Sequence, residues 1–219
     1  MEARSHGDSR RRLRSNPPVF SSPGYRFMKD IFELEPNTRI QQTSYILSYP
    51  HLLSYFSKDL FDAADVVRGA HMVYGWMPTV LNLYPGGGVG LDEAADLLTH
   101  ARKTGMLSDR DLLTLKRIIN NSLVGVSKLL HFAAPNHFAI WDSNIYEFVF
   151  QEKAHGYRVD NIDKYHQYLR TLTDLQADCR FSLFHQSVNA RLGYEVSKFR
   201  ALELVMFLNA PKRQAAAVR

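Results

Sequence analysis

Two residues in the middle of the chain, Lys128 and Asp142, have side chains suited to covalent or charge-stabilising chemistry. A lysine amine can act as a nucleophile, and it can also bind a phosphate. A carboxylate can stabilise a developing positive charge and can orient or deprotonate an attacking water. Each residue also has an ordinary structural explanation, Asp142 as the N-cap of a helix and Lys128 as an exposed lysine in a first helical turn. The choice between these explanations depends on the elements that position the two side chains.

The segment 109–150 is predicted to form three helices around these residues. The first carries one buried stripe of apolar residues at helical spacing: Leu112, Leu113, Leu115, Ile118 and Ile119. The segment 120–122 would end this helix, because its Asn and Ser side chains compete for backbone hydrogen bonds. Residues 123–126 are then expected to form a tight connection in which Gly125 adopts a positive φ. Ser127 would cap the second helix, Pro135 would end it, and Asp142 would begin the third.

The sequences LVGVSKLLHF and FAIWDSNI resemble the hairpin, the lysine-bearing helix and the aspartate segment of helix-hairpin-helix DNA glycosylases, especially the 8-oxoguanine-glycosylase-like branch. The hairpin of that family reads roughly L-P-G-V-G-x-K. Here Val124 stands where the family has Pro, Ser127 replaces the second Gly, and Lys128 comes one residue early. The interval from Lys128 to Asp142 is about one helical turn shorter than in the family, which preserves the face that points inward.

The resemblance implies an enzyme that flips a damaged or modified base out of double-stranded DNA and cleaves its N-glycosidic bond. Asp142 would stabilise the positive charge that builds on the deoxyribose. Lys128 would either attack C1′, which adds AP-lyase activity, or bind a phosphate. The DNA backbone would be contacted through amides at Leu123, Val124, Gly125, Val126 and Ser127. The family needs no cofactor but admits a monovalent cation held by hairpin carbonyls.

Large aromatic residues beside Gly and Pro mark a second region, 72–84. Flipped bases are held between aromatic and apolar side chains, so Tyr74, Trp76 and Tyr84 are candidates for the wall of a base pocket. Core packing is the alternative explanation for all three.

Length and periodicity predict an all-α protein. The 219 residues suffice for one domain or two helical lobes with a cleft between them, and 45% of them are hydrophobic. Residues 1–24 read as a disordered basic tail, and residues 25–219 as a single multi-helix bundle. No segment alternates apolar and polar residues over the length of a strand.

Single residues mark several helix boundaries. Pro50 predicts a kink or a break in the apolar segment 43–56, and Ser57 is expected to cap and start the next helix. An amphipathic helix is predicted over 91–104, opened by two acidic residues and ended by Gly105. Ser108 is then expected to cap the helix that follows.

The charge and the cysteine count narrow the class of protein. Five arginines in the first fifteen residues supply most of the net charge of +5, so binding to nucleic acid is compatible with the charge but is not implied by it. The single cysteine, Cys179, excludes an internal disulfide and a four-cysteine zinc or iron–sulfur site. No apolar run reaches the length of a membrane span and no signal peptide is visible, so we expect a cytoplasmic protein. We also expect a monomer. A metal site is not expected, because the histidines near Asp142 have no second ligand at an i+4 spacing.

Two alternative functions stay open at this point. The first is a non-catalytic helix-hairpin-helix protein that binds DNA. The second is a ribonuclease of the helical HEPN type, because Arg180 and His185 fit its loose Arg-x4-His pattern, in which both residues act on an RNA 2′-hydroxyl.

Overall fold

Helices are the regular elements of the part of the chain that the computed structural model describes, residues 31–76, 79–84, 86 and 90–211. In order they are α1 (Ile31–Leu34), a 3-10 turn (Glu35–Asn37), α2 (Ser44–Tyr55), α3 (Ala63–Trp76), α4 (Leu91–Thr104), α5 (Asp109–Ile118), α6 (Leu123–Ala133), α7 (Ser143–Phe150), α8 (Gly156–Val159), α9 (Ile162–Leu175), α10 (Phe181–Leu192) and α11 (Lys198–Leu208). An isolated antiparallel bridge joins Leu83 to Ile119. The predicted all-α class is confirmed for these residues. The predicted basic tail, residues 1–24, lies outside them.

Local signals position the helices on either side of Gly105. Helix α4 ends at Gly105, which adopts the left-handed conformation with a φ of 70°. Ser108 then caps α5, because its hydroxyl accepts from the Asp111 N–H while the Asp111 carboxylate accepts from the Ser108 N–H. Both boundaries were predicted from the sequence.

Helix α2 continues through Pro50, where a kink or a break was predicted. A proline in a helix leaves the carbonyl four residues earlier without its usual donor. That carbonyl belongs to Ile46, and the Tyr194 hydroxyl donates to it at 2.8 Å. A residue 148 positions away therefore satisfies the hydrogen bond that Pro50 cannot make.

Helix α3 begins at Ala63 and not at Ser57, the predicted start. The Asp65 N–H donates to the Asp62 carboxylate at 2.7 Å, and the Asp62 N–H donates to the Asp65 carboxylate at 3.2 Å. This reciprocal exchange satisfies two N–H groups at the helix start, which explains why the helix begins here.

Helices α6 and α11 form the centre of the bundle. Every residue of α6 except Val124 is buried, and so is every residue of α11 from Phe199 to Phe207. Helices α3, α4 and α5 pack around α6, and α7 packs on α11. The candidate site lies where α6 meets the start of α7. None of the described helices has the length and apolarity needed to cross a membrane.

Candidate active site

The chain turns between α5 and α6 at residues 119–122, four residues before the predicted connection. Asn120 and Asn121 adopt positive φ angles of 53° and 48°, a conformation that Asn tolerates better than most residues. The Asn120 side chain holds the turn in place, because it donates to the Val80 carbonyl at 2.9 Å and accepts from the Asn82 N–H. The prediction of a connection at 123–126 with a positive φ at Gly125 was wrong.

Gly125 lies in the first turn of α6 and is required there by packing. A Cβ atom at this position would lie 1.9 Å from the Tyr74 hydroxyl oxygen. Ser122, and not Ser127, caps α6, since its hydroxyl accepts from the Gly125 N–H at 3.3 Å. The glycine therefore serves the contact between α6 and α3.

The amides predicted to contact a DNA backbone are largely engaged inside the protein. The Leu123 N–H donates to the Asp160 carboxylate at 3.1 Å, and the Val126 N–H donates to the Ser122 carbonyl at 3.1 Å. Leu123, Val126 and Ser127 are buried, and within 123–127 only Val124 is half-buried. Residues 123–127 thus belong to a helix and not to a hairpin, and their contact with a DNA backbone stays a prediction.

Lys128 and Asp142 lie side by side. The Lys128 ammonium nitrogen is 3.9 Å from Asp142 Oδ2. Asp142 caps α7, and its Oδ1 accepts from the N–H groups of Asn144 (2.9 Å) and Ile145 (3.0 Å). The cap engages one oxygen and leaves Oδ2 directed towards the amine. Asp142 thus has its structural role as an N-cap and a second contact that a cap does not require.

Ser127 sets the spacing of this pair. Its hydroxyl accepts from the Trp141 N–H at 3.1 Å and lies 3.2 Å from the Trp141 carbonyl oxygen. Ser127 and Trp141 each directly precede one member of the pair, so this contact ties the backbone of Lys128 to that of Asp142. Trp141 is itself fully buried, and its indole N–H donates to the Val159 carbonyl at 2.7 Å. Ser127, predicted to bind DNA, instead positions the two candidate catalytic residues.

Both side chains border a cleft of about 630 Å³. Its lining comprises Asn121, Ser122, Val124, Lys128, Asp142, Ser143, Ala154, His155, Gly156, Val159 and Asp160. The 119–122 turn, α6, the start of α7 and the 154–160 segment thus meet at one site. Asp160 joins the last of these to the rest, because it accepts from Leu123 and pairs with Lys116.

Burial changes the acid–base properties of Lys128. Only 10% of its side chain is exposed. Burial lowers the pKa of the Lys128 amine, since it disfavours the charged form, although Asp142 and then Glu203 act in the opposite direction. A lowered pKa increases the fraction of neutral amine, which is the nucleophilic form.

A sealed charged cluster lies behind this pair. Arg200 and Glu203 form an ion pair on α11 in which neither side chain is more than 1% exposed. Burial raises the pKa of the Glu203 carboxyl to about 7, and Arg200 opposes this shift. The Arg200 guanidinium lies over the rings of Tyr45, at 5.3 Å, and Tyr49, at 4.8 Å. This pair was not predicted from the sequence. An Arg and a Glu three residues apart in the apolar run FRALELVMFL could have indicated a buried ion pair.

The three aromatic residues proposed for the pocket wall lie elsewhere. Tyr74 is buried against Gly125. Trp76 stacks on Tyr45 with ring centroids 3.9 Å apart and belongs to the Arg200 cluster. Tyr84 is 56% exposed and does not line the cleft. Core packing thus accounts for Tyr74 and Trp76, and none of the three lines the cleft that holds Lys128 and Asp142.

Arg180 and His185, the candidates for ribonuclease chemistry, have other partners. Arg180 binds Asp178 through Nε (3.0 Å) and Nη2 (2.8 Å) and lies over the Phe32 ring. His185 Nε2 is 2.8 Å from the Val196 carbonyl oxygen. Neither residue lines the cleft that holds Lys128 and Asp142.

Comparisons with known proteins do not assign a family or a function to the chain. No family model matches the chain, and no curated protein and no solved structure is significantly similar to it. Among the described residues no group of three or more His, Cys, Asp or Glu side chains is placed to hold a metal ion.

Proposed function

We propose that the chain is a helix-hairpin-helix type DNA glycosylase that cleaves the N-glycosidic bond of a flipped, modified or damaged base. One observation carries the proposal: a buried lysine amine and a helix-capping carboxylate lie 3.9 Å apart on the wall of one cleft. The non-catalytic DNA-binding protein and the ribonuclease have no comparable support among the described residues.

The carboxylate suits the electrostatic demand of the reaction. As the base departs, positive charge builds on the deoxyribose. Two backbone N–H groups hold Asp142 in one orientation, so it needs no reorganisation when that charge develops. Its free oxygen faces the amine and the cleft, where a water or a sugar would lie.

The amine suits the nucleophilic step. Neutral Lys128 attacks C1′, the electron pair of the C1′–N bond leaves with the base, and the base takes up a proton. The attached amine then loses a proton, the C1′–O4′ bond opens to an iminium ion, and O4′ becomes a hydroxyl. Asp142 is close enough to relay the proton that the amine releases. When water attacks instead, the same carboxylate orients it, and the product is a free abasic site.

The cleft has the size of a small-molecule site. Its volume of about 630 Å³ falls within the range of about 300–1,000 Å³ typical of ligand pockets. A cleft of this volume is large enough for a nucleoside. The monovalent cation at the hairpin is not needed for this chemistry and stays a prediction.

Base release is the direct test of the proposal. We would incubate the full chain with DNA duplexes that carry a panel of modified and oxidised bases and reveal abasic sites by heating in alkali. We expect strand breaks at one or more of the modified positions. If no substrate on the panel is cut while duplex DNA is still bound, the protein is a binding module and the proposal is wrong.

Borohydride trapping assigns the role of Lys128. Reduction of the iminium ion would leave a covalent protein–DNA complex, and Lys128→Ala should abolish it. Lys103→Ala is the matched control, because Lys103 is exposed on α4 and is not part of the cleft lining. Base release without any trapped complex would assign the attack to water and leave Lys128 as a phosphate ligand.

A further inference from the structure

An aromatic pair stands at the rim of the cleft and takes no part in the chemistry above. Tyr157 is 73% exposed, which is unusual for a ring of this size. The His155 ring lies nearly parallel to it, with 6° between the ring planes and 5.8 Å between the centroids. His155 also lines the cleft that contains Lys128 and Asp142. One ring of the pair thus belongs to the cleft wall, and the other is exposed next to it.

The exposed ring is held in place. The Arg158 Nε–H donates to the Tyr157 hydroxyl oxygen at 3.2 Å, and the guanidinium lies 5.7 Å from the ring centroid. Arg158 is anchored in turn by Glu152 at 3.1 Å. These contacts restrict the motion of the ring. Such restriction favours the binding of a flat ligand, because less conformational freedom is then lost on binding.

From this geometry we infer that His155 and Tyr157 form a stacking subsite for a nucleobase next to the flipped nucleotide. The inference rests on the proposed DNA substrate and adds a contact outside the cleft. When one nucleotide leaves the duplex to enter the cleft, its neighbour loses a stacking partner. An aromatic side chain at the rim replaces that partner, and stacking of this kind accepts any base because every base has a π-face.

Two basic residues lie close to the pair in sequence. Lys153 precedes His155 by two residues and is exposed, and Arg158 keeps about a third of its side chain exposed despite its ion pair with Glu152. Cations near an aromatic platform can neutralise the phosphates that flank a stacked base.

Equilibrium binding tests the subsite without any need for catalysis. The ligand would be a fluorescein-labelled duplex that contains one tetrahydrofuran residue, an abasic analogue that cannot be excised, with 2-aminopurine as its neighbour. We expect Tyr157→Ala to raise the dissociation constant about tenfold and to abolish the quenching of 2-aminopurine. Tyr157→Phe should bind and quench like the unaltered chain, because the ring and not the hydroxyl makes the contact.

Tyr84→Ala is the matched control, since Tyr84 is also exposed but lies outside the cleft lining, and it should change neither signal. Unchanged affinity and quenching in Tyr157→Ala would overturn the subsite. If base release persists in that case, the proposed glycosylase function still stands. If the unaltered chain binds none of the duplexes, both the subsite and the proposed function are wrong.

Discussion

Arg200 and Glu203 form an ion pair sealed inside the bundle, whereas Lys128 and Asp142 face a cleft. The sealed pair is in direct contact and is enclosed by Tyr45, Tyr49 and Trp76. The open pair is 3.9 Å apart and keeps 10% and 14% of its side chains exposed. Because Arg200 and Glu203 contact each other directly, they stabilise the folded bundle. Because Lys128 and Asp142 are further apart and partly exposed, either side chain can bind a ligand in place of the other.

The difference shows why burial alone is a poor guide to function. Both pairs are taken out of water at a cost, and a buried pair by itself is weak evidence for stability. The two pairs differ in their accessibility to a ligand. Arg200 and Glu203 can be reached only by their own neighbours, whereas a substrate in the cleft would touch Lys128 and Asp142 directly. Variants of Lys128 and Asp142 should therefore chiefly change the rate of base release. Variants of Arg200 and Glu203 should chiefly change the free energy of unfolding.

The largest expected effect is on the rate of base release. Asp142→Asn should reduce it about 1,000-fold, or about 4 kcal/mol of barrier, because the charge on the sugar is then unopposed. The free energy of unfolding should change less than in the variants of the sealed pair, since Asn is also a good N-cap and Lys128 borders the cleft. Single-turnover kinetics and urea denaturation would measure the two quantities. Asp163→Asn, in the first turn of α9, is the control and should keep the full rate.

Breaking the sealed pair should affect stability instead. Arg200→Met leaves Glu203 buried without its partner and should lower the free energy of unfolding by about 3–5 kcal/mol. The double variant Arg200→Met/Glu203→Leu removes both charges and should recover most of the loss. Urea denaturation of the three proteins checks this. A single variant as stable as the unaltered chain would show that the pair is not needed for the framework.

Acid should also weaken the sealed region through His131. This ring is fully buried, with Nδ1 at 2.8 Å from the Phe138 carbonyl oxygen and Nε2 at 2.8 Å from the Tyr49 hydroxyl. Burial, together with the charge on Arg200, lowers the pKa of His131 to about 3. Between that value and about 6.5 the unfolded chain binds more protons than the folded one. The contribution of the neutral His131 ring to the free energy of unfolding is therefore fully present above about pH 6.5. It is lost as the pH decreases towards 3.

Urea denaturation at pH 7 and pH 5 measures this loss, which should reach about 2 kcal/mol at pH 5, at about 1.36 kcal/mol per pH unit below about 6.5. His131→Gln should be less stable at pH 7 but should lose less between the two pH values. Equal losses in both proteins would mean that other groups cause the acid sensitivity.

The smallest effect should come from the link that spaces the open pair. Ser127→Ala removes the hydroxyl that accepts from the Trp141 N–H and should lower the free energy of unfolding by about 1–2 kcal/mol. Base release should slow as well, because Lys128 and Asp142 lose their common support. Ser182→Ala, at an exposed position of α10, should change neither. Base release at the full rate in Ser127→Ala would show that the contact does not position the pair.

Local signals predicted the parts of the molecule that depend on neighbouring residues. The start and end of α4, the cap at Ser108 and the cap at Asp142 follow from residues within one helical turn of each boundary. The resemblance identified Lys128 and Asp142 as the candidate catalytic residues. Their separation of 3.9 Å could not be anticipated, because it depends on the contact between Ser127 and Trp141.

Distant contacts account for the errors. Pro50 does not break α2, because Tyr194 satisfies the carbonyl of Ile46. The turn before α6 is displaced to Asn120 and Asn121, because residues 80–82 hold Asn120 by its side chain. Trp76 does not line the cleft; it stacks on Tyr45 and lies 5.8 Å from the Arg200 guanidinium, more than a hundred residues later in the chain. No local pattern contains these partners.

A crystal structure of the full chain with a duplex that contains a tetrahydrofuran abasic analogue would test the central claim most directly. The account predicts that C1′ of the analogue lies in the cleft, about 3–4 Å from both the Lys128 amine and the free oxygen of Asp142. DNA bound on another face, with Lys128 and Asp142 still paired across an empty cleft, would contradict it.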